Sequence, residues 1–115
     1  MTAPFYPIGP SGVIAYADDS TDTSIVLGPG STGLPNALYI VNPDAANVVV
    51  VNTGLTDGDT DAIVPTSDFN GRGVVVGPQG AVLIRLESTY VQGNIYVSAA
   101  GVSGTGNVYI TPGVL

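Results

Sequence analysis

The residues best placed to do chemistry in this chain are acidic. Asp57-Gly58-Asp59-Thr60-Asp61 alternates carboxylates with small residues, and Asp68 follows further on. Alternating Asp can set hard oxygen ligands around a calcium ion, which makes Asp57, Asp59 and Asp61 a calcium candidate. Against it, Ala62 stands where a helix-loop-helix calcium loop needs glycine, Pro65 interrupts the run, and neither flank reads as a helix. The plainer reading is a solvated acidic turn.

Most other chemistry is excluded by composition. The chain has no histidine, which removes the commonest general base and the commonest transition-metal ligand. It has no cysteine, which removes thiolate nucleophiles and thiolate metal sites and favours folding in a reducing cytoplasm. Ser24, Ser67 and Asp68 therefore cannot complete a hydrolytic triad. Gly28-Pro29-Gly30-Ser31-Thr32-Gly33 lacks the lysine and the following helix of a phosphate loop. Asn70-Gly71-Arg72 has the letters of a cell-attachment tripeptide, but Asn-Gly is also a strong tight-turn signal. Paired carboxylates remain open in principle, yet only Glu87 lies near a strand end. The expectation is a protein that is not an enzyme and carries no cofactor.

Charge points the same way. Two arginines, Arg72 and Arg85, face nine acids, for a formal charge of -7. Such a surface repels phosphate backbones and anionic lipid, so neither nucleic acid nor membrane is an expected partner. Only 10% of residues are charged while 44% are hydrophobic, well below the roughly 25% charged residues of ordinary soluble domains. A surface so short of charge is the first sign of a subunit that works inside an assembly. The N-terminus has neither the positive region nor the apolar run of a signal peptide, and no apolar stretch approaches the ~20 residues of a membrane span.

The elements that must carry these residues are strands. Sixteen glycines and nine prolines punctuate the chain at strand-length intervals, and no segment shows helical apolar spacing. Strands are expected at Val13–Ala17, Ser24–Leu27, Leu38–Asn42, Asn47–Thr53, Ala62–Val64, Gly73–Val76 and Ala81–Leu86. The near repeats Gly93-Asn94-Ile95-Tyr96-Val97-Ser98 and Gly106-Asn107-Val108-Tyr109-Ile110-Thr111 read as the two arms of a hairpin around Gly101–Thr105. The fold class is all-β: an antiparallel β-sandwich or jelly roll of about eight short strands. Val48–Val51 is apolar on both faces, so this strand is expected to be buried on both sides, in a sandwich or between subunits.

Residues 1–12 form an extended arm ahead of a single domain over 13–115. Pro4, Pro7 and Pro10 delete backbone donors and keep the arm out of a sheet interior. Its aromatics, Phe5 and Tyr6, are candidates for docking on a neighbouring subunit. With the hairpin in register, Tyr96 and Tyr109 share one face, suited to a carbohydrate platform or a subunit contact, and the intervening aliphatic positions face the core. Arg85, in an otherwise apolar strand, completes the interface candidates.

From Asn47 to Gly113 the chain resembles small capsid decoration, or cement, proteins of tailed bacteriophages. The resemblance rests on the valine-rich strand, Ile63-Val64-Pro65, the Val-Val-Val-Gly-Pro turn at 74–78, and above all the ending Tyr109-Ile110-Thr111-Pro112-Gly113. It implies a β-sandwich subunit, often trimeric, made in the host cytoplasm and placed on the outside of the head shell. There it would clamp adjacent major capsid proteins. A tail or head-tail component is a close variant. A carbohydrate-binding or adhesive β-sandwich, suggested by the tyrosines and the acidic loop, is the alternative of a different class.

Overall fold

The computed structural model describes residues 5–7, 11–17, 22–27, 36–54, 61–86, 95–102 and 104–115, with only the main chain at 22–27 and 95. Nine strands follow one another, all extended and without a helix among the described residues: β1 (Tyr6–Pro7), β2 (Gly12–Tyr16), β3 (Asp22–Leu27), β4 (Ala37–Val41), β5 (Val49–Gly54), β6 (Val74–Val76), β7 (Ala81–Arg85), β8 (Ile95–Gly101) and β9 (Gly106–Val114).

They form two antiparallel sheets. In the front sheet β9 is flanked by β4, which pairs onward with β7. Along its other edge β9 pairs first with β2 and then, further along, with β1. The back sheet has the order β3-β8-β5-β6. Only β5 and β6 are neighbours both in sequence and in space, while every connection from β2 to β5 and from β6 to β9 crosses between sheets. Orders 2-9-4-7 and 3-8-5-6 are those of a jelly roll.

Alternation along the strands builds the core. Ile14, Tyr16, Leu38, Ile40, Val108 and Ile110 from the front sheet meet Val49, Val51, Val76, Val97 and Ala99 from the back sheet, nearly all sealed from solvent. The valine strand is indeed buried on both faces, and within one chain. Val50 points away from the main core into a second cluster with Ala62 and Ala100, flanked by Val64 and Val102. The 61–65 segment thus lies over the outer face of the back sheet, where the Ala62 amide donates to Ser98 Oγ at 3.1 Å.

Three sequence expectations are corrected. The terminal repeats are not a hairpin: β8 lies in the back sheet and β9 in the front. Between them the chain steps across the end of the sandwich. The Gly101 amide donates to Ala17 O and the Val102 amide to Val48 O. Glycine is required at 101, where a Cβ would sit 2.6 Å from Gly104 O and 2.7 Å from Ala17 O. Ala62–Val64 is not a strand but a single bridge, in which Ile63 and Arg72 exchange amide hydrogen bonds at 3.0 and 2.9 Å. The positive φ of the 67–71 turn falls on Phe69 (58°), not on Asn70 or Gly71. Asn70 acts instead through its side chain, whose Oδ1 accepts from the Thr66 amide and the Thr66 hydroxyl.

Candidate interaction surface

The alternation that sends Leu38, Ile40, Val108 and Ile110 inward sends their neighbours out. The register places them in rows across the front sheet. Val13, Tyr109, Val41 and Ala81 stand side by side on β2, β9, β4 and β7. The next row holds Thr111, Tyr39 and Leu83, with Ser11 sharing a 2.7 Å hydroxyl hydrogen bond with Thr111. The third holds Gly113, Ala37 and Arg85. Cross-strand neighbours of this kind have Cβ atoms about 5 Å apart. The result is a continuous outer face of tyrosine and aliphatic side chains with one charge, Arg85, at its β7 edge. Tyr109 is 47% exposed, Tyr39 41% and Val13 49%.

Phe5 and Tyr6 lie at one end of the front sheet, in this chain's own fold, with Phe5 on this face. Tyr6–Pro7 pairs with Val114 and Gly113. The Phe5 ring sits 6.0 Å from the Tyr39 ring at a tilt of 42°. Gly113 makes this possible, because a Cβ there would fall on the Phe5 ring. Tyr96 is elsewhere: half-buried on the back sheet, opposite Val26 and Gly54. Tyr96 and Tyr109 therefore share no face, because their strands belong to different sheets. Of the five interface candidates, the structure places Phe5, Arg85 and Tyr109 on this face, while Tyr6, in register with Val114, turns to the other side of the sheet.

Sequence reasoning missed Tyr39, Val13 and Leu83. The pattern Leu38-Tyr39-Ile40 already marks Tyr39 as outward. Ala81–Arg85 is apolar at four successive positions, so no alternation identifies Leu83, and only the register does.

Asp57 and Asp59 lie outside the described residues, as does Glu87, while Asp61 is exposed. Among the described residues no group of three His, Cys, Asp or Glu side chains could hold a metal ion. The most elaborate polar cluster closes the sandwich end where β4 turns into β5. Asn42, fully buried, donates its amide to Asn47 O (2.9 Å), Gly77 O (3.1 Å) and Val76 O (3.3 Å). Asp44 Oδ1 accepts from the amides of Ala46 and Asn47, both at 2.8 Å. Those amides, Ala46 first, hold the Asp44 carboxyl below its usual range. Asn47 Nδ2 reaches across to Thr105 O at 2.8 Å and ties down the β8–β9 crossing. Beneath lies the Tyr16 hydroxyl, buried and without a partner at hydrogen-bond geometry. Burial, then the charge of Asp44, pushes it up, with the nearby Asn47 amide opposing part of the shift. The bonds of this cluster position the turns at this end of the sandwich.

The 65–72 loop is a second exposed feature among the described residues. Its tip is locked by the Thr66–Asn70 side-chain bonds, by the Phe69 amide on Thr66 O (3.1 Å) and by the Asp68 amide on Thr66 Oγ1 (3.3 Å). Phe69, 97% exposed, is held in the left-handed region, at a cost of about 1–2 kcal/mol for a residue with a Cβ. With Pro65, Gly71, Arg72 and Gly73 it lines an open cleft of about 200 Å³.

No protein-family model matches the chain, and no curated protein matches it significantly. No helix among the described residues is long and apolar enough to cross a membrane.

Proposed function

We propose that this chain is a virion structural protein, a capsid decoration or cement subunit that binds the outer surface of a head shell and stabilises junctions between major capsid proteins. The observation that carries the reading is the outer face of the front sheet: Val13, Tyr39, Leu83 and Tyr109 exposed together on a rigid surface with one charge at its rim. Scattered exposed apolar residues need no explanation, but a contiguous patch marks an interaction site. Tyrosine is the residue such sites favour, because it joins a large apolar body to a hydroxyl. The resemblance of residues 47–113 to phage decoration proteins supports the partner, and jelly rolls are common among viral capsid domains. Burying the face across a capsomer junction would contribute roughly 25 cal/mol per Å² of apolar area against separation of the capsomers.

Co-sedimentation with shells of the encoding virus tests this. The wild type pellets with shells and Tyr39→Ser/Tyr109→Ser stays in the supernatant, although both fold alike. A wild type that never pellets, or a double variant that pellets equally, overturns the reading. The same exposed tyrosines favour one second reading, a carbohydrate-binding face. A glycan array separates the two, since the cement subunit binds no glycan with or without calcium.

A further inference from the structure

We infer that the 65–72 loop is a self-association site, at which Phe69 of one copy enters the cleft beside Phe69 of a second copy and receives that copy's Phe69 in return. Three observations converge on it. The first is the knob. Phe69 is 97% exposed and has a φ of 58°, so both its burial and its backbone would suit glycine or asparagine better. The four hydrogen bonds within Thr66–Asn70 hold the ring out in water in spite of this. Backbone strain of this kind persists where surrounding structure enforces it, and it clusters at functional positions such as ligand clamps.

The second is the hole. The cleft, open to solvent and lined by Pro65, Gly71, Arg72, Gly73 and one side of Phe69 itself, measures about 200 Å³, room enough for an aromatic ring. Its wall is fixed. A Cβ on Gly71 would lie 2.5 Å from Pro65 Cβ, and one on Gly73 would lie 2.6 Å from Val51 O. Both glycines pack too closely on the chain behind them to carry a side chain, which holds this wall in place.

The third is charge. Asp68 precedes the knob and Arg72 lines the hole, both exposed. When the knob of one copy fills the hole of another, each Asp68 comes to the partner's Arg72. Knob and hole share one patch, and a patch complementary to itself makes a two-fold contact between identical chains. A contact this small is weak in free solution. It gains strength where copies are held side by side, because tethering raises the effective concentration.

Sedimentation velocity over a concentration series tests it. The wild type shows a reversible, concentration-dependent rise in mass. Phe69→Asn removes the ring and relieves the left-handed backbone, so it loses that rise while melting at a higher temperature than the wild type. A packing residue would instead lose stability. Asp68→Arg and Arg72→Asp each weaken association at least about tenfold, and an equimolar mixture of the two recovers it, since every contact in the mixed pair joins opposite charges. A wild type without a mass rise, a Phe69→Asn variant that associates like the wild type, or a mixture no better than its components each overturn the proposal. Failure here leaves shell binding by the front sheet untouched, and a protein that associates but ignores shells removes only that other reading.

Discussion

Replacing Asn42 by alanine is expected to be the costliest single polar deletion among the described residues. Its amide serves three carbonyls, those of Asn47, Gly77 and Val76, and its Oδ1 accepts the Asp44 amide at 3.3 Å. These bonds fasten the β4–β5 turn to the β6–β7 turn, at the end where the two sheets are joined. Alanine strands Val76 O in a buried place, at about 1–3 kcal/mol for a desolvated polar group. It also loses three partly buried bonds worth about 1 kcal/mol each. The sum is about 4–6 kcal/mol, a large share of the roughly 5–15 kcal/mol that holds a domain folded. With an m-value of ~2 kcal/mol/M, the urea midpoint should fall by about 2–3 M. Asn107→Ala, exposed on β9, should change stability by less than ~0.5 kcal/mol. Asn42→Asp adds a sign. A carboxylate facing three carbonyls is disfavoured, so its folded pKa is raised. The variant therefore approaches the wild type below the unfolded value of ~3.9 and loses stability as pH rises above it. An Asn42→Ala midpoint within experimental error of the wild type, or an Asn42→Asp deficit constant from acid to neutral pH, would refute this account of the turn.

Tyr16→Phe removes a buried hydroxyl that has no partner, so the variant should be more stable at neutral pH by up to about 1 kcal/mol. Because burial raises the Tyr16 pKa, its contribution is complete below the ordinary value of 10.0 and lost as pH climbs through the folded one. Thermal melts from neutral to alkaline pH should show the variant losing less. Asp44 has the opposite sign: its lowered pKa adds stability above 3.8 that vanishes as pH falls through the folded value, so Asp44→Ala should differ from the wild type at neutral pH and converge on it in acid. Gly113→Ala puts a methyl into the Phe5 ring, and it should abolish the NMR cross-peaks between Phe5 and Tyr39 without unfolding the sandwich.

Much of the fold is legible in the sequence because alternation and punctuation are local. Ala37–Val41 and Gly106–Thr111 announce their inward and outward faces, and Gly77-Pro78-Gln79-Gly80 forms a compact turn, with the Gly80 amide donating to Gly77 O at 3.0 Å. Strand partnership is not local. Two adjacent strands with matching sequences look like a hairpin, but β9 pairs with β2 and β4, both far earlier in the chain. The sequence shows no sign of this, because the crossing needs the same glycines as a hairpin turn. The interaction face suffered for that reason: Tyr109 was legible as outward, its neighbours Val13 and Leu83 only from register. Asn42 was hidden as well, since one asparagine in a turn looks the same whether it faces water or three carbonyls.

The two sheets solve the problem of an outer apolar face in different ways, and the difference bears on function. On the outer face of the back sheet Val50, Ser98 and Ala100 form a small-residue floor, with Tyr96 half-buried and Val75 exposed beyond it. β5 and β6 are adjacent strands that a short turn could join, yet residues 55–73 lie between them, and 61–65 lies over those small side chains. The Ala62–Ser98 bond and the Ile63–Arg72 bridge fix this cover in place. On the front sheet the outward residues are large, and Phe5 is the aromatic that packs on them. The main core beneath is complete without further cover, since Leu38, Ile40, Val108 and Ile110 are all fully buried. Folding therefore does not require Tyr39 and Tyr109 to be buried, and replacing them by serine leaves that core intact while removing the ring contact of Phe5 with Tyr39. That is why a loss of shell binding in the double serine variant can be assigned to the face itself: the side chains that shape the contact are largely separate from those that hold the sandwich together.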